Sequence, residues 1–173
     1  VMRFIGVIKA RNHSVFVVTF DCLPTLTLFK YCQGKHSVGT LKEHMSATAS
    51  SIVKLACTKK AAKTTGADTL ILVHGLTSAG ATFWAGNTIL DQLAGKVNVV
   101  AVDLRGHGQS PESETDDYSL PSMAADLKHF MMNELHGVSK CHWLGHSWGS
   151  RVVVTLAEVY PEIVQSVFVE DEY

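Results

Sequence analysis

Four short apolar runs constrain the fold of this chain more than any other feature. They are Thr69 to Val73, Val97 to Val102, Cys141 to Leu144 and Val164 to Val169. The first two are apolar at nearly every consecutive position, so a strand built from either has no face suited to water. Between them lie stretches that read as helices: Thr82 to Ala94, closed by Gly95; Tyr118 to Leu135, stopped by Gly137; and Trp148 to Tyr160, ended by Pro161. In the second, Ser119 can cap and Pro121 suits the first turn. Met123, Leu127, Phe130 or Met131, and Leu135 mark its apolar face. Strands alternating with helices predict an α/β fold: a mostly parallel sheet, helices on both faces, right-handed crossovers. Ser51 to Thr58 is expected to add a strand or hairpin arm, followed by a polar loop over Lys59 to Asp68.

The chain has 173 residues, 46% hydrophobic and 18% charged, which suits one domain with a real core rather than a disordered segment. A net charge of -1 supplies no attraction for nucleic acid. Cys22, Cys32, Cys57 and Cys141 lack any C-x-x-C spacing and read as free thiols, which suits an intracellular setting. No apolar run reaches the roughly 18 residues of a membrane span; Asp21 and Pro24 interrupt the nearest, Val15 to Phe29. Residues 1–44 differ from the rest. They carry Arg3, Lys9, Arg11, Lys30, Lys35 and Lys42 against only Asp21 and Glu43. This bias faintly resembles a secretory or mitochondrial address. Ile5 to Ile8 and Ser14 to Phe20 have strand composition within what is expected to be an irregular extension. A partial domain is expected over 45–173.

The chemistry concentrates where apolar runs end. His74-Gly75-Leu76 follows the first, Asp103 to Ser110 the second, and Gly145-His146-Ser147-Trp148-Gly149 the third. At the carboxyl edge of a parallel sheet these three segments can meet. Gly-x-Ser-x-Gly between strand and helix is the context of a nucleophile elbow, a sharp turn that lifts a serine hydroxyl out of the sheet. The helix that follows aims its N-terminal N–H groups at the site, where they favour a developing negative charge.

On these stretches, with Leu70 to Leu76, Asp103 to Ser110 and Tyr160-Pro161-Glu162, residues from about 51 to 173 resemble the first two-thirds of an α/β-hydrolase domain of the serine esterase, thioesterase and lipase-like kind. Residues 1–44 match nothing in that family. The resemblance implies an enzyme that cleaves a small acyl ester, thioester or amide without cofactor or metal. It implies Ser147 as nucleophile and the backbone N–H groups of Trp148 and Leu76 as the oxyanion hole. His74 is then a prop for its loop, and Asp103 to Ser110 a structural loop beneath the site. Serine in place of aspartate at position 147 speaks against the dehalogenase and epoxide-hydrolase branches.

Other readings of the same residues are weaker. Gly106-x-Gly108 lacks the third glycine and the helix of a dinucleotide fingerprint, since Pro111 stands there. His142 and His146 are expected to pack or hydrogen-bond rather than to ligate metal. The family's order of Ser, then acid, then His is not completed, because no histidine follows His146. Asp171 is a candidate acid after the last strand. The sheet is expected to be incomplete after about the sixth strand, with the acid and base beyond Tyr173, so that the chain alone is inactive and poorly soluble. The alternative is a non-catalytic α/β-hydrolase-like binding or partner protein. Substrate identity and oligomeric state are left open.

Overall fold

A computed structural model describes residues 2–10, 13–20, 51–86, 92–93 and 95–170. Two strands, β1 (Met2–Ala10) and β2 (His13–Phe20), pair antiparallel from Met2↔Phe20 to Ala10↔His13, with an irregularity between Phe4 and Gly6. The extension therefore contains a regular ladder where an irregular segment was expected, over the stretches with strand composition.

The main sheet has five strands among the described residues: β3 (Cys57–Lys60), β4 (Thr69–Val73), β5 (Asn98–Val102), β6 (Cys141–His146) and β7 (Val164–Glu170). Their order is β3-β5-β4-β6-β7. β4, β5, β6 and β7 run parallel, and β3 pairs antiparallel with β5. The strand expected over Ser51 to Thr58 is displaced toward Lys60. Residues 51–56 are not strand and instead give backbone groups to distant partners: Val53 N–H donates to Asp126 Oδ1 at 2.8 Å and Ala56 N–H to Ser110 Oγ at 2.8 Å.

The double burial of the central strands follows from their alternation. Ile71 and Val73 on β4, Val100 and Val102 on β5, and Trp143 on β6 point to one face. There they meet Met123, Leu127 and Phe130 of α2 (Leu120–Glu134) and Val152, Val153 and Leu156 of α3 (Trp148–Val159). Leu70, Leu72, Val99, Ala101 and Leu144 point to the other face, against Trp84 of α1 (Gly80–Gly86). Each face thus acquires its own apolar cluster, which a helix-covered parallel sheet requires.

Helix ends follow local chemistry. Ser119 is the N-cap of α2, its Oγ accepting from Ser122 N–H, with Pro121 in the first turn. Pro161 opens a 3-10 turn, Pro161–Ile163, after α3. The helix expected from Thr82 begins earlier, at Gly80, because Gly80 N–H donates to Asp103 Oδ1 at 2.7 Å; residues 87–91 and 94 of that expectation lie outside the described residues. Among the described residues no helix is long and apolar enough to cross a membrane.

Candidate active site

Strand register brings the three chemical segments to one edge. Val73 pairs with Val102 and with Gly145, Gly145 with Val169, and His146 with Glu170. The strands therefore end nearly level, and the residues that follow them converge.

Ser147 sits between β6 and α3 with φ 49° and ψ -114°. Residues bearing a Cβ rarely adopt this conformation, and holding it costs about 1–3 kcal/mol. Ser147 N–H donates to Glu170 O at 2.7 Å, which ties the turn to the end of β7. Its hydroxyl makes no capping bond to α3. Trp148 is the first residue of α3, so its N–H has no acceptor one turn back in the helix. The flanking glycines are sites of close approach. A Cβ on Gly145 would overlap the carbonyl of Gly149, and one on Gly149 would overlap the carbonyl oxygens of Val73 and His74. Ser150, which sequence reasoning did not single out, braces the turn. It is buried, and its single O–H is shared between Gly145 O at 2.7 Å and Glu170 O at 3.1 Å.

The loop after β4 lies against this turn. A Cβ on Gly75 would stand 3.4 Å from Ser147 Cβ and 3.1 Å from His146 Nδ1. His74 is fully buried and holds the loop through both ring nitrogens. Its Nε2 accepts from Leu104 N–H at 3.0 Å, so its Nδ1 carries the proton and donates to Gly75 O at 2.7 Å. Ser78 N–H also donates to Gly75 O, at 3.3 Å. The Gly75–Leu76 peptide is trans, so clamping its carbonyl from one side directs Leu76 N–H to the opposite side. Burial, the largest influence, and the neighbouring His107 lower the His74 pKa below its usual 6.5, against an opposing bond to Gly75. The ring is neutral, as its partners demand.

The loop after β5 is a frame. Asp103 Oδ1 accepts from Gly80 N–H and Oδ2 from Gln109 N–H at 2.9 Å, while Ser110 Oγ donates to Asp103 O at 2.6 Å. Arg105 is wholly buried. Its Nε donates to Asp126 Oδ2 at 2.6 Å, its NH2 group to Asp126 Oδ1 at 2.8 Å, and its NH1 group to Asp117 O at 2.6 Å. Asp126 was not anticipated. The available signal was a carboxylate between Met123 and Leu127 on the buried stripe of α2.

The paired histidines of β6 separate. His142 Nδ1 lies 2.6 Å from Ser166 Oγ, whereas His146 stacks on Phe83 with ring centroids 4.4 Å apart. Four residues of strand hold them about 13 Å apart along the chain, too far for one metal ion. Asp171 lies outside the described residues.

A family model described as the alpha/beta hydrolase fold matches residues 68–171, more than half of the chain. The chain belongs to the alpha/beta hydrolase family. Within it, the chain is 35% identical over 102 residues to the sn-1-specific diacylglycerol lipase of Danio rerio, covering 59% of this chain and 31% of that protein. It is 40% identical over 97 residues to the pimeloyl-acyl-carrier-protein methyl ester esterase of Aeromonas salmonicida, covering 56% and 35%. Epoxide hydrolase 4 of Mus musculus is 32% identical over 106 residues, covering 60% and 28%. Among solved structures, a marine microorganism esterase superposes with a TM-score of 0.59 at 30% identity, over 68% of this chain and 41% of that one. The chain thus spans about a third of the length of these curated relatives. These relatives are hydrolases by name.

Proposed function

We propose that this chain carries the nucleophile of a serine hydrolase that cleaves a small acyl ester, thioester or amide. The observation that carries the reading is the backbone of Ser147: φ 49° between β6 and α3, with the hydroxyl outside the capping bonds of the helix. In the proposed reaction Ser147 Oγ attacks the carbonyl carbon, and its proton passes to a general base. Charge collects on the carbonyl oxygen, between Trp148 N–H and Leu76 N–H. The leaving group takes up the proton, an acyl-enzyme remains, and water reverses the sequence to release the acid.

The relatives named above include a lipase and an esterase, but also an epoxide hydrolase. Serine at position 147 favours the acyl-transfer reading over the epoxide branch. The base is sought elsewhere in the whole protein. His74 and His107 engage backbone groups through both ring nitrogens, and His146 packs on Phe83. The test is turnover of a short-chain ester by the whole protein and by Ser147→Ala. Loss of turnover by about a million-fold is expected on removing such a nucleophile. Turnover that survives the substitution overturns the reading. Saturable acyl binding by the whole protein without any turnover replaces it with the non-catalytic binding protein.

A further inference from the structure

The loop that carries Leu76 is held from a second side, by a residue that the proposed reaction does not use. His107 Nε2 stands 2.5 Å from the carbonyl oxygen of Leu76, and Nδ1 stands 2.9 Å from the carbonyl oxygen of Arg105. Both oxygens can only accept. A neutral imidazole has one N–H, so it serves one contact and turns a lone pair toward the other oxygen; only the imidazolium donates to both. The two ends of this bridge differ in stiffness. Arg105 is anchored by its buried pair with Asp126. Leu76 is 55% exposed, so packing does little to fix its position.

We propose that His107 is a positioning residue, bridging Arg105 and Leu76 in its doubly protonated form and so setting the alignment of the Leu76 N–H. The catalytic consequence rests on the acyl-transfer reading of Ser147; the bridge itself does not. His74, from the end of β4, faces the ring at 5.1 Å between centroids and is held neutral by its backbone partners. From the end of β5, Asp103 binds the N–H groups of Gly80 and Gln109, while the guanidinium of Arg105 is directed into Asp126. A ring protonated on Nδ1 alone serves only the Arg105 carbonyl, turns its Nε2 lone pair toward Leu76 O and so frees the Leu76–Thr77 peptide to rotate. Two clamps therefore act on consecutive peptides: His74 on Gly75–Leu76 and His107 on Leu76–Thr77.

The test is long-range 1H–15N correlation of the imidazole nitrogens in the whole protein, between about pH 5 and about pH 8. His107→Phe assigns the signals. Both His107 nitrogens should be protonated at the acid end. Their change should share its midpoint with shifts of the Leu76 and Thr77 amides. His107→Phe should abolish that amide step and lower kcat about tenfold to a hundredfold with KM nearly unchanged. His107→Gln, whose amide donates without titrating, should recover part of kcat and remove the same step from its pH profile. A single neutral tautomer throughout, or Leu76 amides that do not follow His107, overturns the proposal. A catalytically silent Ser147 leaves the imidazole and amide signals as expected, so failure of the acyl-transfer reading is distinguishable from failure of the bridge.

Discussion

Ser147 is held in its turn by neighbours that leave it no alternative. Its own N–H is fixed to Glu170 O, and Ser150 Oγ grips the carbonyls of Gly145 and Glu170. The strain follows from carrying a Cβ at φ 49°. Ser147→Gly should therefore raise stability by about 1 kcal/mol, measured by urea unfolding, because relief of strain outweighs the added freedom of the unfolded chain. The same substitution should abolish turnover. Gly149→Ala should act in the opposite sense. Its methyl meets the carbonyl oxygens of Val73 and His74, which are backbone and cannot swing aside. A loss of about 2–3 kcal/mol by the same measurement is expected. His74 contributes a pH dependence. Its folded pKa lies below its usual 6.5, so below that pH the unfolded chain takes up the proton more readily than the native one. Its contribution is complete above pH 6.5 and is lost as pH falls from there through the lower native value. Thermal unfolding of the protein and of His74→Asn across that window should show a steeper acid decline for the former.

At the level of elements, apolar runs specify strands reliably and register less so. β4, β5 and β7 lie within a residue of where their hydrophobic runs place them; for β4 and β5, burial on both faces leaves no other role for such runs. α2 was equally legible, since cap, proline and stripe agree. Ser119→Ala should cost about 1 kcal/mol, read as a lowered urea midpoint with unchanged slope. β3 was not legible. Cys57–Lys60 has a weak pattern, and its strand state is set by antiparallel pairing with β5 rather than by its own residues. The start of α1 was missed for a similar reason. Asp103, far along the chain, accepts from Gly80 N–H and draws the first turn forward.

Across the whole molecule, the loop after β5 joins parts that the chain keeps apart. Arg105 and Asp126 are both fully buried, and Asp126 also accepts from Val53 N–H. One ion pair thus connects the approach to β3, the loop beneath the site and α2. Removing one partner strands a buried charge. Asp126→Asn should cost about 3–5 kcal/mol by urea unfolding. Arg105→Met with Asp126→Leu should lose much less, since no charge is left behind. The alternation of apolar runs and helices, and the motifs at the ends of those runs, are local properties. From the sequence by itself they determined the α/β class, the carboxyl-edge position of the candidate site and the motifs of the alpha/beta hydrolase family. Only the tertiary structure decided which groups hold that site. The clamps of His74 on Leu104, of His107 on Leu76, and of Asp126 on Arg105 join residues 30, 31 and 21 positions apart, beyond the reach of any local pattern. Their partners are backbone carbonyls, N–H groups and one carboxylate, which carry no motif of their own. Strand register brings them within reach, and burial makes each unpaired alternative costly.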